Sequence, residues 1–181
     1  MLAHLSYLPL TFDYGSEDGI TAEDEDRILL ALEHRHRVHH LRLVFPVQNL
    51  QKLVMAIDDE FPILEYLIVE PPQEDNTVLT LPETLQAPNL HHLALGGFAC
   101  SIRPRLHPDA TSLDTLFLII DHQSAYFQPN VLLQWISFMP QLESLAIIFS
   151  FPVPNRDVER QVTHTPITTH ITLPNLRLFW F

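Results

Sequence analysis

The feature that most constrains this chain is a short apolar template restated along its whole length. An apolar residue, two free positions, Leu, one free position and an aliphatic residue make up Leu90-His91-His92-Leu93-Ala94-Leu95. The same template reads Val38-His39-His40-Leu41-Arg42-Leu43 and Leu64-Glu65-Tyr66-Leu67-Ile68-Val69. It returns as Leu113-Asp114-Thr115-Leu116-Phe117-Leu118 and Leu142-Glu143-Ser144-Leu145-Ala146-Ile147. A last copy puts Leu176, Phe179 and Phe181 at the apolar positions, and a weaker one opens the chain at Leu5, Leu8 and Leu10. First apolar positions fall at 38, 64, 90, 113, 142 and 176, in steps of 26, 26, 23, 29 and 34 residues. Apolar residues two apart mark a strand with one buried face. A strand-sized template repeated at such intervals predicts copies that fold alike and stack on their neighbours.

The residues between copies predict the returns. Leu50, Leu53, Val54, Ile57 and Phe61 form a helical stripe, with Asn49 as its cap and Pro62 as its stop. An earlier helix starts at Thr21, which with Asp24 resembles a capping box. Ile28, Ala31 and Leu32 share its inner face, and His34, Arg35 and Arg37 fall near its end, where cations suit the helix dipole. A third helix opens on Pro129, carries Leu132, Trp135, Ile136 and Met139 on one face, and ends at Pro140. The stretch 5–12 reads as an edge strand interrupted by Pro9, followed by a loop over 13–20. Residues 113–120 are apolar almost throughout, which predicts a strand covered on both faces. A short extended piece is expected at 78–81, one helical turn at 82–85, and irregular connections at 97–112 and 151–172.

Strand, return and strand in so few residues require parallel neighbours. A doubly wound sheet also alternates strands and helices, but it does not repeat one template. The fold reading is therefore α/β: an irregular leucine-rich-repeat solenoid of six or seven repeats. Such repeats run at about 20–29 residues, with a parallel sheet on one face and helices or loops on the other. Residues 1–181 are read as one domain and a partial array. It comprises an N-terminal strand, acidic loop and helix (1–37), the repeats (38–150), and a long loop with the last strand (151–181).

Composition narrows the function. A formal charge of −12 speaks against nucleic acid, which needs clustered Lys and Arg. The acidic run from Asp13 to Asp26 precedes the first basic residue, Arg27, and reads as a solvated face or an acidic docking patch. One cysteine, Cys100, forms no internal disulfide and fits a reducing compartment. Neither a signal peptide nor an apolar run of ~18 residues is present, so the expected setting is cytoplasmic or nuclear, away from membranes.

Catalytic chemistry finds no motif. The 11 histidines suggest a metal, above all His34, His36, His39 and His40, but no His-Glu-x-x-His occurs. His39-His40 and His91-His92 sit two copies apart, ~10 Å at ~4.8 Å per strand, too far to share an ion. Gly96-Gly97 matches no phosphate-loop fingerprint, and Cys100 lacks a nucleophile motif. Asp121, His122 and Ser124 tempt a triad, yet residues so close in sequence rarely converge. The reading is no enzyme, no cofactor and no metal.

Asn89-Leu90-His91-His92-Leu93-Ala94-Leu95, Asn175-Leu176-Arg177-Leu178-Phe179-Trp180-Phe181 and the segment from Thr165 to Pro174 resemble the leucine-rich region of F-box proteins of mushroom-forming fungi. The resemblance spans nearly the whole chain through architectural motifs, which specify no ligand. It implies the substrate-receptor region of a ubiquitin-ligase subunit that captures an unknown protein substrate. No F-box is found here, so the ligase's linker subunit is an expected partner only of a longer form.

Template positions 1, 4 and 6 point into the core, leaving positions 3, 5 and 7 on an open face. The binding residues expected there are His40, Arg42, Tyr66, Ile68, Glu70, His92, Phe117, Ile119 and Trp180. So apolar a face suits protein recognition. The alternative is a truncated structural or self-associating repeat fragment, its open face covered by another segment or a second copy.

Overall fold

The chain lays its strands side by side in the order in which they occur, all parallel. The computed structural model describes residues 8–72, 79–82, 85–98, 112–121, 129–150 and 172–180. They contain β1 (Leu10–Gly15), α1 (Ala22–Leu32), β2 (Val38–Val44), α2 (Val47–Ala56) and β3 (Tyr66–Glu70). Then follow β4 (His92–Gly96), β5 (Thr115–Ile120), α3 (Pro129–Ile136), β6 (Ser144–Phe149) and β7 (Leu178–Trp180). The sheet order is β1-β2-β3-β4-β5-β6-β7.

Register follows the template. Leu41, Leu67, Leu93, Leu116 and Leu145 are successive partners across β2 to β6, and Leu43, Val69, Leu95, Leu118 and Ile147 form a second row. Both rows are buried and belong to one apolar cluster. That cluster also takes Ile28 and Leu32 from α1, Leu50, Leu53 and Val54 from α2, and Trp135 and Ile136 from α3. The helices therefore cover this face of the sheet. Among the described residues no polar or charged side chain is buried.

A repeated corner feeds the strands. Phe61-Pro62-Ile63-Leu64, Ala87-Pro88-Asn89-Leu90, Met139-Pro140-Gln141-Leu142 and Leu173-Pro174-Asn175-Leu176 each close with a bond from the Leu N–H to the first residue's carbonyl, at 3.1–3.3 Å. Proline at the second position presets φ for such a turn. The Asn89 side chain donates to Pro62 O at 2.6 Å, and that of Asn175 to Pro140 O at 3.1 Å, so each of these corners holds the corner before it.

Several sequence expectations are corrected. The stretch 13–20 is not all loop, because β1 begins after Pro9 and continues to Gly15. Thr21 does cap α1, its Oγ1 accepting the Asp24 N–H at 3.2 Å. No cation lies in the last turn of α1, however. Arg35 and Arg37 belong to a separate 3-10 turn, where Arg35 pairs with Asp59 and Arg37 donates to Leu8 O. Asn49 is not the cap of α2, which starts at Val47 behind Pro46. That helix ends at Ala56, so Phe61 is buried from the corner and not from the helix. Likewise α3 ends at Ile136, and the chain reaches Met139 through i→i+3 bonds.

β5 is not covered on both faces. Its burial alternates, with Leu116, Leu118 and Ile120 inside and Phe117 and Ile119 half-buried, because the described helices all pack on the inner side. Between β3 and β4 the return includes two bridges, Glu60 with Gln86 and Leu79 with Phe98. Leu79 thus supports the extended piece expected at 78–81, whose first residue lies outside the described set. The helical turn at 82–85 lies partly outside it too, as do Cys100 and nearly all of 97–112 and 151–172.

Candidate functional site

The face of the sheet away from the helices is built in rows. Thr11, His40, Tyr66, His92, Thr115, Ser144 and Leu178 are partners across all seven strands. Asp13, Arg42, Ile68, Ala94, Phe117, Ala146 and Trp180 form the next row. A third holds Gly15 with Val44, and Gly96 with Ile119 and Ile148. Glu70 lies beside Gly96, where an added Cβ would come within 3.1 Å of its own. All nine residues expected on the open face are placed on it, from His40 and Arg42 at one side to Trp180 at the other.

The first row contains an aromatic stack. The His40 and Tyr66 rings lie 5.3 Å apart, those of Tyr66 and His92 5.7 Å, each pair inclined by 29°. Strand spacing of ~4.8 Å and in-register pairing bring the rings face to face without special packing. The two histidines expected to stand ~10 Å apart therefore have Tyr66 between them. Burial holds the pKa of His92 below its ordinary value; the nearby Asp114 carboxylate opposes this and His40 adds to it. Burial therefore favours the neutral form of the His92 ring.

The face is not uniformly open. Ala94 is only 5% exposed between its larger partners Ile68 and Phe117, and Gly96 is buried beside Glu70, Pro71 and Ile119. Arg42 is paired, its Nη1 lying 2.8 Å from Asp13 Oδ1. The Glu70 side chain makes no hydrogen bond or ion pair with another described residue, while its main chain pairs with Val44 in the sheet. Trp180, on β7, is 61% exposed.

Template position 2 carries a feature the open-face reading missed. His39 Nε2 meets Glu65 Oε2 at 3.1 Å, His91 Nδ1 meets Asp114 Oδ2 at 3.3 Å, and Arg177 Nη1 meets Glu143 Oε2 at 3.5 Å. The main chain is regular here as well. Glu65 O accepts from the N–H groups of both His91 and His92, and His91 O from those of Asp114 and Thr115. Asp114 O serves Glu143 and Ser144, and Glu143 O serves Arg177 and Leu178. This shared acceptor marks the bend that lets position 1 face the core while position 3, two residues on, faces out. The sequence signal was there: His or Arg recurs opposite Glu or Asp at position 2 of adjacent copies.

Rings and aliphatic groups make up most of the open face among the described residues. Among the described residues no group of three or more His, Cys, Asp and Glu side chains converges as a metal site. His122 and Ser124, considered with Asp121, lie outside the described residues, as does Cys100. No described helix is long and apolar enough to cross a membrane. No protein-family model, curated protein or solved structure matches this chain.

Proposed function

We propose that the parallel sheet is a leucine-rich-repeat solenoid and its open face a protein-recognition surface. On this reading the chain is the substrate-receptor region of an F-box-type ubiquitin-ligase subunit, acting in the cytoplasm or nucleus. The supporting observation is the register. Equivalent positions of successive template copies are partners across the sheet, and the described helices pack on one side of it. A rigid, one-sided face then presents Tyr66, Ile68, Phe117 and Trp180 together, the residue types that contribute most at protein interfaces.

The test is affinity capture from a fungal lysate, with the chain as bait. One specific protein should be retained by the native chain and lost by a Phe117→Ala, Ile68→Ser double variant that keeps its circular dichroism spectrum. The ligase's linker subunit should be captured only by a longer form that carries an F-box. Capture of that subunit by this chain alone, or binding that survives the double variant, contradicts the proposal. A second reading, a self-associating fragment, is favoured by one observation: all three residues of β7 at the sheet edge are exposed.

A further inference from the structure

Among the described residues the open face is acidic at its centre, and this points to the chemistry of what docks there. Around Ile68, Ala94 and Phe117 stand Glu65 and Asp114 at the N-terminal ends of the strands and Glu70 at the C-terminal end of β3. β3, β4, β5 and β6 carry no Lys or Arg. The two arginines of the face are committed elsewhere, Arg42 to Asp13 on β1 and Arg177 to Glu143 beside β7. Among the described residues Glu65 pairs with His39 and Asp114 with His91, and Asp114 also acts on His92. The Glu70 side chain has no partner among the described residues. The apolar row thus lies between carboxylates that no Lys or Arg among the described residues pairs with, and from Glu65 to Glu70 the strand spans ~16 Å.

We propose that the partner is a basic protein segment, with one aliphatic or aromatic anchor packed on the half-exposed Ile68 and Phe117, which cover Ala94, and a Lys or Arg on each side. This inference rests on the recognition reading above and adds the charge of the partner to it. A cation near Glu70 or Asp114 gains attraction across a half-buried apolar surface, whereas an acidic segment meets like charge at both ends of the row.

Panning a phage-displayed random dodecapeptide library against the whole chain at low salt tests it. Enriched peptides should share an apolar residue flanked by Lys or Arg. A representative synthetic peptide should bind Glu70→Gln about threefold and Phe117→Ala about tenfold more weakly, and should weaken as salt rises. Ile68→Ser serves as the second anchor variant should Phe117→Ala not fold. Enriched peptides that are acidic or neutral, yet lost with Phe117→Ala or Ile68→Ser, overturn the charge inference and leave the recognition surface standing. Basic peptides that bind both anchor variants undiminished overturn the surface itself. Recovery of no binding peptide contradicts both.

Discussion

Leu93 and Arg42 show how differently single residues count in this fold. Leu93 sits mid-ladder between Leu67 and Leu116 and is fully buried. Leu93→Asp would place an unpaired carboxylate in the core, at a cost on the order of 4 kcal/mol against a total stability of about 5–15 kcal/mol. Arg42→Asp removes an exposed ion pair and should cost about 1 kcal/mol or less. Urea unfolding of the two variants checks the contrast, and equal destabilisation contradicts the register. His92 adds a dependence on pH. Its folded pKa lies below the ordinary 6.5, so the unfolded chain takes up the proton first on acidification. The stability tied to His92 is therefore complete above the unfolded value and is lost as pH falls through it towards the folded one. His92→Gln should flatten that part of the curve of stability against pH, and an unchanged slope would show that burial of this ring carries no such penalty. The two faces were legible residue by residue because side-chain period in a strand is 2. The burial of Ala94 and Gly96 was not, since it comes from the size of neighbours on other strands.

Among the elements, the corners matter as much as the strands. Four copies of apolar-Pro-x-Leu turn the chain into a strand or towards it, and Asn89 and Asn175 tie corners together across 27 and 35 positions. Asn89→Ala leaves the turn but loses the bond to Pro62 O, and should destabilise by about 1 kcal/mol. Asn89→Asp lacks the donor and should do no better; full stability of both variants in thermal unfolding would mean that the bond contributes nothing. Strand positions were readable because each copy restates them. Helix boundaries were less so. The stripe from Leu50 to Phe61 keeps helical spacing past the last helical residue, Ala56, because Phe61 reaches the same core from a turn. Apolar spacing reports which residues are buried and does not distinguish the backbone that carries them there. Residues 113–120 misled in the opposite way, as an apolar composition does not require that both faces be covered.

Taken as a whole, the molecule has a core between one sheet face and its helices, a second face of rows, and two unlike edges. At β1 the edge carries Asp13 and the ion pair to Arg42; at β7 it exposes Leu178, Phe179 and Trp180. An apolar edge strand is a template for pairing with another chain. The protein should therefore self-associate at tens of micromolar, and Leu178→Lys, Trp180→Lys should restore the monomer; light scattering that shows a native monomer would contradict this. The central claim is that the template copies on β2 to β6 stand in one sheet with position 4 inward and positions 3 and 5 outward. Phe179, at position 4 of the last copy, is instead exposed at the edge. Thiol labelling in a Cys100→Ser background tests it most directly, with single cysteines placed in turn at Ser144, Leu145, Ala146 and Ile147. Cysteines at 144 and 146 should label rapidly in the native protein, and those at 145 and 147 only after unfolding. Equal labelling at all four positions, or the reverse alternation, would contradict the account.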